Sequence, residues 1–417
     1  MLKTPIARGV ALATLGATLA IPTMAQAAFI DDTKAGLELR NFYFNRDFRE
    51  DAGQNKRDEW AQGFLLRVQS GYTEGTVGFG VDALGLLGVK LDSGGGSGGS
   101  ELLPADRSGG PFASQDDYSE LGAAAKVKLS NTVLKYGSMQ LKNPAVASSD
   151  GRLLPQVFKG VHVTSQEVDG LFLEAGQMNR FNHRHSSNYE KIGLNGAGAT
   201  KADDFIFAGG SYKVLDNLTA GYYYSKLEDI YKQNSFNLVH VLPLGDKQSL
   251  KTDVRYAINK DDGSAEAGDR DNKAFGAMVT YALSGHSFGL GYQKMSGDTG
   301  FSYVDGTDPY LVNFVQIGNF ASKDEKSWQA RYDFNFASVG VPGLTFMTRY
   351  LTGDNIDRGA NASEGKEWER DTDIGYVFQD GTLKDLGIKW RNATVRNNTG
   401  RDVDENRLIV SYTIPLM

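Results

Sequence analysis

Residues 327–336 read Ser327-Trp328-Gln329-Ala330-Arg331-Tyr332-Asp333-Phe334-Asn335-Phe336, with every second side chain apolar and the others polar or charged. Successive side chains of a strand point to opposite faces, so this stretch offers one face to lipid and the other to water. The same alternation recurs along the chain after residue 33. A bilayer core tolerates no unpaired backbone group, which leaves helices and closed barrels as the structures able to cross it. Beyond the N-terminus the longest run free of polar side chains is about Ala83 to Val89, far short of the roughly 20 apolar residues that a spanning helix requires. The strands are the remaining candidates.

Composition points the same way. Gly 50, Tyr 19 and Phe 22 against Pro 10 describe a β-rich chain with many turns and many aromatic side chains, and aromatic girdles of outer-membrane barrels use such side chains. No linker-like break divides the 417 residues, so one large architecture is expected. Zero cysteine excludes disulfides and thiolate metal sites.

Lys3 and Arg8, the apolar run Gly9 to Ile21, and Ala25-Gln26-Ala27 form the three parts of an export signal. The reading is a signal peptide over 1–28 and a transmembrane barrel over 29–417. Without the two basic residues the chain has 42 Lys+Arg against 51 Asp+Glu, a formal charge of −9 (42 − 51). An acidic exported chain of this kind is a poor nucleic-acid binder.

Alternation between turn residues marks eighteen strands, from 34–47 to 403–416. Connections after even-numbered strands are short, as at Glu74-Gly75, Ser130 and Val214-Leu215-Asp216. Most of those after odd-numbered strands are long and polar, at 91–117, 141–156, 181–202, 259–272, 296–326 and 353–369. Short periplasmic turns, long extracellular loops and an even strand number define an up-and-down barrel. The fold class is thus all-β, an 18-stranded antiparallel transmembrane β-barrel. Asp92 to Ser100, rich in glycine and serine, reads as a mobile loop within it.

Placing the apolar set of each strand in lipid turns Arg40, Arg46, Arg67, Lys135, Lys251, Arg255, Arg331, Arg349, Lys389, Arg391 and Arg407 inward. The lumen is then basic although the chain is acidic, which assigns most acids to loops and turns. Spaced cations in a narrow channel lower the entry cost of a carboxylate, and arginine grips one bidentately. The plainer alternative is that these cations pair with acids such as Asp253 and Asp333 and stiffen the wall.

In Leu39 to Arg49, Trp60-Ala61-Gln62-Gly63-Phe64, Phe79 to Gly85, Arg152-Leu153-Leu154-Pro155-Gln156, Asp308 to Asn313 and Asp404 to Tyr412, the chain resembles the OprD or Occ family of substrate-specific porins of Pseudomonas and relatives. The likeness implies a barrel whose third and seventh extracellular loops fold inward, and 141–156 and 296–326 are third and seventh here. It also implies a basic ladder down one wall, with Arg152 at the constriction beside Ser148, Ser149 and Asp150, and Arg184 at the eyelet. Asp305 and Asp308 on the seventh loop stand either as an acidic patch for a substrate's polar end or as ordinary turn residues. Small carboxylates are the implied substrates, and Ile388 to Thr394 with Asp404 to Arg407 look more like the aromatic-acid branch. Outer-membrane lipid, lipopolysaccharide and the assembly machinery are the expected partners, with the protein a monomer or loose trimer that needs no cofactor.

Two other classes compete. A barrel enzyme would need a nucleophile or water with an oriented base, and His183 and His185 form the one close histidine pair. They lack an evident third metal ligand and read as polar loop residues. A plugged structural or adhesive barrel would conduct nothing.

Overall fold

The computed structural model describes residues 29–50 and 53–417; the expected signal peptide lies outside them. Strand-forming alternation gives β1 (Lys34–Phe48), β2 (Lys56–Gln69), β3 (Val77–Ser93), β4 (Asp117–Leu129), β5 (Thr132–Met139), β6 (Val157–Ser165) and β7 (Leu171–Asn182). Two short strands follow, β8 (Ile192–Gly193) and β9 (Lys201–Ala202), paired only with each other. The series resumes with β10 (Phe205–Leu215), β11 (Leu218–Leu227), β12 (Tyr231–Gly245), β13 (Gln248–Asp261), β14 (Asp271–Leu283) and β15 (His286–Ser296). It ends with β16 (Lys326–Asn335), β17 (Leu344–Ile356), β18 (Gly365–Val377), β19 (Gly387–Asn397) and β20 (Val403–Pro415).

Eighteen of these form one antiparallel sheet in chain order, and β20 pairs with β1 from Gly36↔Pro415 to Phe48↔Val403. The sheet is closed and so has no free edge. The tight connections 130–131, 216–217, 246–247 and 284–285 lie at the end holding both termini, the periplasmic end of such barrels. At the other end, the third loop spans 140–156 and the seventh 297–325, in the expected order.

The stretch 327–336 behaves as read: Trp328 is 61% exposed on the outer face while Ser327 and Gln329 are buried inside. Outward aromatics gather in two girdles. Tyr43, Trp60, Phe275, Trp328 and Tyr350 are exposed toward the loops, with Tyr292 packed on Trp328 at 4.5 Å. Phe334 and Phe336, 4.5 Å apart, and Tyr376 and Phe378, 5.0 Å apart, lie toward the periplasm.

Buried apolar side chains collect inside the barrel beneath the loops. One cluster joins Leu141 and Val146 of loop 3 to Phe158, Phe181, Phe205 and Tyr231 of the wall, with Ile192, Leu194 and Val304 of loops 4 and 7. A second joins Phe42, Phe44, Leu65 and Leu86 to Leu102 and Leu103 of loop 2 and Leu153 and Leu154 of loop 3. Each such side chain, fully buried, stabilises the inward position by roughly 1.5–3 kcal/mol.

Loop 2 (94–116) corrects one expectation. Its glycine-rich start packs in place: Asp58 N–H donates to Ser97 O at 2.8 Å, and Gly98 N–H donates to Phe112 O at 2.9 Å. A Cβ on Gly98 would strike the Ser114 hydroxyl and Phe112 O. Glycine here allows close approach of two chain segments, and composition alone cannot distinguish that use from freedom of motion.

Candidate channel constriction

Alternation on β1 sends Glu38, Arg40, Phe42, Phe44 and Arg46 to one inner face, with Tyr43 outside. Arg40 uses this position to hold loop 3. Its guanidinium donates to Asp150 Oδ1 at 2.7 Å, to Arg152 O at 3.0 Å and to Glu38 Oε1 at 2.8 Å. Loop 3 is also bonded to itself: Ser148 N–H donates to Leu141 O at 2.8 Å, and the Ser148 hydroxyl accepts from Leu141 N–H at 3.0 Å.

Across the closure between β1 and β20, Glu405 is fully buried and accepts from Arg46 Nε at 2.7 Å and from Arg407 Nε at 2.6 Å. Arg407 then reaches both inward loops, donating to Gly151 O at 3.4 Å and to Gln316 O at 3.2 Å. Gln316 Nε2 returns to Glu405 Oε1 at 3.0 Å. The Phe44 ring lies among three guanidiniums, 5.5 Å from Arg46, 5.1 Å from Arg152 and 5.6 Å from Arg407.

Arg152 differs from its neighbours. Its Nε donates to Ser100 O at 2.8 Å and its Nη1 to Gly151 O at 3.0 Å. Among the described residues, no carboxylate stands within hydrogen-bond distance of it. Burial, with the cations of Arg407 and Arg184 alongside, pushes its pKa well down. The cationic form is therefore under-neutralised where loops 2 and 3 meet the wall.

Arg184, from loop 4 (183–204), ties three loops together. It donates to Ser149 Oγ at 2.8 Å and forks onto Glu101 of loop 2. Burial raises the Glu101 pKa, but Arg184 and then Arg152 outweigh it and hold the group down at about 2. Burial lowers His185 to about 4; Glu101 pulls it up, while His183, Arg184 and Arg152 push it further down. His183 Nε2 lies 3.6 Å from Glu190 and 3.4 Å from Asp305 of loop 7. Asp308 N–H donates to Ala147 O at 3.0 Å, and burial pushes the Asp308 carboxyl up. Asp305 and Asp308 thus fasten loop 7 to loops 4 and 3.

The wall holds loop 7 with polar side chains. Glu369 accepts from Ile317 N–H at 2.9 Å and Gly318 N–H at 2.7 Å. Arg255 donates to Leu311 O at 2.9 Å and lies 4.0 Å from the Tyr310 ring centre. Asn313 Nδ2 donates to Ser327 Oγ at 2.8 Å.

Toward the periplasm, Lys135 and Lys126 share Asp82 at 2.7 and 2.6 Å. Lys389 and Arg391 share Asp373 at 3.2 and 3.0 Å. Lys251 is exposed inside and, among the described residues, has no ion-pair partner.

The structure brings Arg40, Ser148, Ser149, Asp150, Arg152, Arg184, Asp305, Asp308 and Arg407 together at the loops, with Arg46 behind them. Lys135, Lys389 and Arg391 sit lower in the wall. Most acids lie outside the strands, as expected, but the inner wall is less basic than parity suggested. Glu38, Asp82, Asp253, Asp333, Asp371, Asp373 and Glu405 all belong to strands and pair with the inward cations. Glu405 and Glu369 were missed as site residues. Spacing could have found Glu405, because Glu38/Arg40, Asp253/Arg255, Arg331/Asp333 and Glu405/Arg407 are all two apart and so share a face.

A closed 18-stranded barrel narrowed from within by its own loops defines a channel-forming outer-membrane protein. A family model described as outer membrane porin, OprD family, matches residues 27–416, and the chain belongs to that family. It is 41% identical over 407 residues to the porin-like protein GalP of Pseudomonas putida, covering 97% of each chain. The crystal structure of OpdQ from Pseudomonas aeruginosa superposes with a TM-score of 0.86 at 57% identity, covering 94% of this chain and 100% of that one. That of Pseudomonas aeruginosa OpdK with vanillate superposes with a TM-score of 0.87 at 40% identity, covering 93% and 100%. The protein is accordingly an outer-membrane porin for substrate-specific uptake, a passive channel and not an enzyme. Among the described residues no group of His, Cys, Asp and Glu has metal-site geometry, the His183–His185 pair included.

Proposed function

We propose that this porin passes small molecules bearing a carboxylate, aromatic or cyclic acids above all. The observation that carries the reading is Arg152: a buried guanidinium beside Arg184 and Arg407, with carbonyls but no carboxylate in its hydrogen bonds. An entering carboxylate supplies the missing counter-charge. At 4 Å and an effective dielectric of about 20 such an attraction is about 4 kcal/mol, enough to offset much of the cost of leaving water. Most other inward cations already have acid partners, so Arg152 is the selective element, and exposed Lys251 and half-exposed Lys389 offer weaker steps toward the periplasm. Vanillate, bound by the OpdK relative, is an aromatic carboxylate and supports that choice of substrate.

Liposome swelling with benzoate, vanillate and a neutral sugar of similar size tests this. The acids should enter several-fold faster than the sugar, and Arg152→Gln should remove most of the difference. Equal uptake of sugar and acids by the wild type would overturn the carboxylate reading. Absence of any conductance in planar bilayers would instead favour a plugged barrel.

A further inference from the structure

The outer surface carries cations that the channel does not use. Lys226, Lys232 and Lys260 face outward on β11, β12 and β13 and lie directly opposite one another, Lys226↔Lys232 and Lys232↔Lys260. Farther round, Lys294 on β15 faces Lys326 on β16 in register, and Lys273 on β14 stands between the two rows. Tyr224, Phe275, Tyr292 and Trp328 each lie two residues to the periplasmic side of a lysine, on the same outer face. The lysines therefore sit just outside the aromatic girdle, at the height of lipid headgroup phosphates.

Like charges directly opposite on neighbouring strands, with Cβ atoms roughly 4.5–5.5 Å apart, repel. The protein offsets this only in part. Lys226 lies 3.6 Å from Asp262 and Lys260 2.6 Å from Asp271, and Lys326 faces Asp354 of β17 in register, whereas Lys232, Lys273 and Lys294 have no ion-pair partner among the described residues. At the closure of the barrel the arrangement is different. There the outward Asp47 and Asp404 lie opposite each other, and Arg49 and Arg396 compensate them at 3.1 and 3.0 Å.

One arginine also faces lipid. Arg370 is exposed on β18, between inward Glu369 and Asp371, and lies two residues below outward Trp368. Among the described residues its one side-chain hydrogen bond is to Thr394 Oγ1 at 3.4 Å. It lines one end of a groove of ≈ 490 Å³, in register with Tyr350. Gly289, Ala330 and Thr348 contribute small groups to this groove, and Phe288, Leu290 and Tyr350 contribute larger ones. An unpaired guanidinium on a lipid face is costly unless an anion meets it.

We propose that the arc from β11 to β18 binds the phosphorylated glycolipid of the outer leaflet. Its phosphates bridge the opposed lysines and reach Arg370, and an acyl chain fills the groove beneath. A phosphate between two ammonium groups accepts charge-assisted bonds from both and turns their repulsion into a clamp. The extracellular position selects the outer-leaflet glycolipid over inner-leaflet phospholipid.

Native mass spectrometry of the detergent-solubilised porin with added rough-type lipopolysaccharide tests the proposal. Replacing Lys232, Lys273, Lys294 and Lys326 together by Gln should reduce bound glycolipid at least ten-fold, and Arg370→Gln should reduce it several-fold. A control with the same charge change at the periplasmic end, Lys128, Lys213, Lys247 and Lys384 to Gln, should bind as the wild type does. Equal retention by the arc and control variants, or equal loss, would overturn the arc. Wild-type binding that survives enzymatic removal of the glycolipid phosphates would overturn the phosphate contact even if the fourfold variant did not fold. Bilayer conductance should stay unchanged in every variant, so a failure here is separable from a failure of the channel reading.

Discussion

Arg407 and Glu405 stand two residues apart on β20, and Arg331 and Asp333 stand two apart on β16, yet the two pairs live in different settings. The first is almost wholly buried, at 2% and 0% exposure, and its arginine touches the carbonyls of loops 3 and 7. The second is 36% and 34% exposed, bidentate, and touches no loop. One sequence motif thus anchors the inward loops when they cover it and lines a wet wall when they do not. Burial decides the difference, because water screens the outer pair and cannot reach the inner one.

The sharpest way to break the comparison is Glu405→Gln. It leaves Arg46 and Arg407 buried without their carboxylate, and loss of one partner of a buried pair costs about 3–5 kcal/mol. Thermal unfolding in detergent should move well down and single-channel current should become noisy. A double variant with Arg407→Met should recover part of the stability, and no recovery would show that the buried charge is not the cause.

A medium effect is expected from pH. His185 is held neutral by burial, with its pKa lowered to about 4. The unfolded loop binds the proton more readily, so its contribution is complete above the ordinary value near 6.5 and declines as pH falls toward 4. Glu101, held at about 2, adds a contribution that is complete above its ordinary value and declines as pH falls from there toward 2. Hydrogen exchange in residues 183–204 should accelerate on acidification, and His185→Gln should remove the upper part of the response only.

The smallest effect belongs to the exposed pair. Arg331→Gln should change stability by less than about 1 kcal/mol and shift anion preference slightly. Reversal-potential measurements in a salt gradient would detect it. A loss as large as that of Glu405→Gln would erase the distinction between the two regions.

The strand number, the closure and the identity of the inward loops were legible because alternation and turn residues are local signals. Arg40, Arg391 and Arg407 could be turned inward by parity alone. Their partners were less visible, since counting cations along a face without counting acids two residues away gives a lumen that is too basic. Contacts such as Arg407 to Gly151 O and Gln316 O were beyond reach, because they join a strand to backbone atoms 256 and 91 residues away in sequence. Loop 2 misled for a related reason: Gly98 is selected by a close approach that exists only in the folded barrel.

The eyelet has one more property. Its anchors, Arg40 and Arg46 on the first strand and Glu405 and Arg407 on the last, lie on the two sides of the join where the barrel closes. A half-inserted chain has loop 3 but not the last strand that fixes it. On the reading proposed above, a barrel without its last strand lacks the contacts that hold its filter in place.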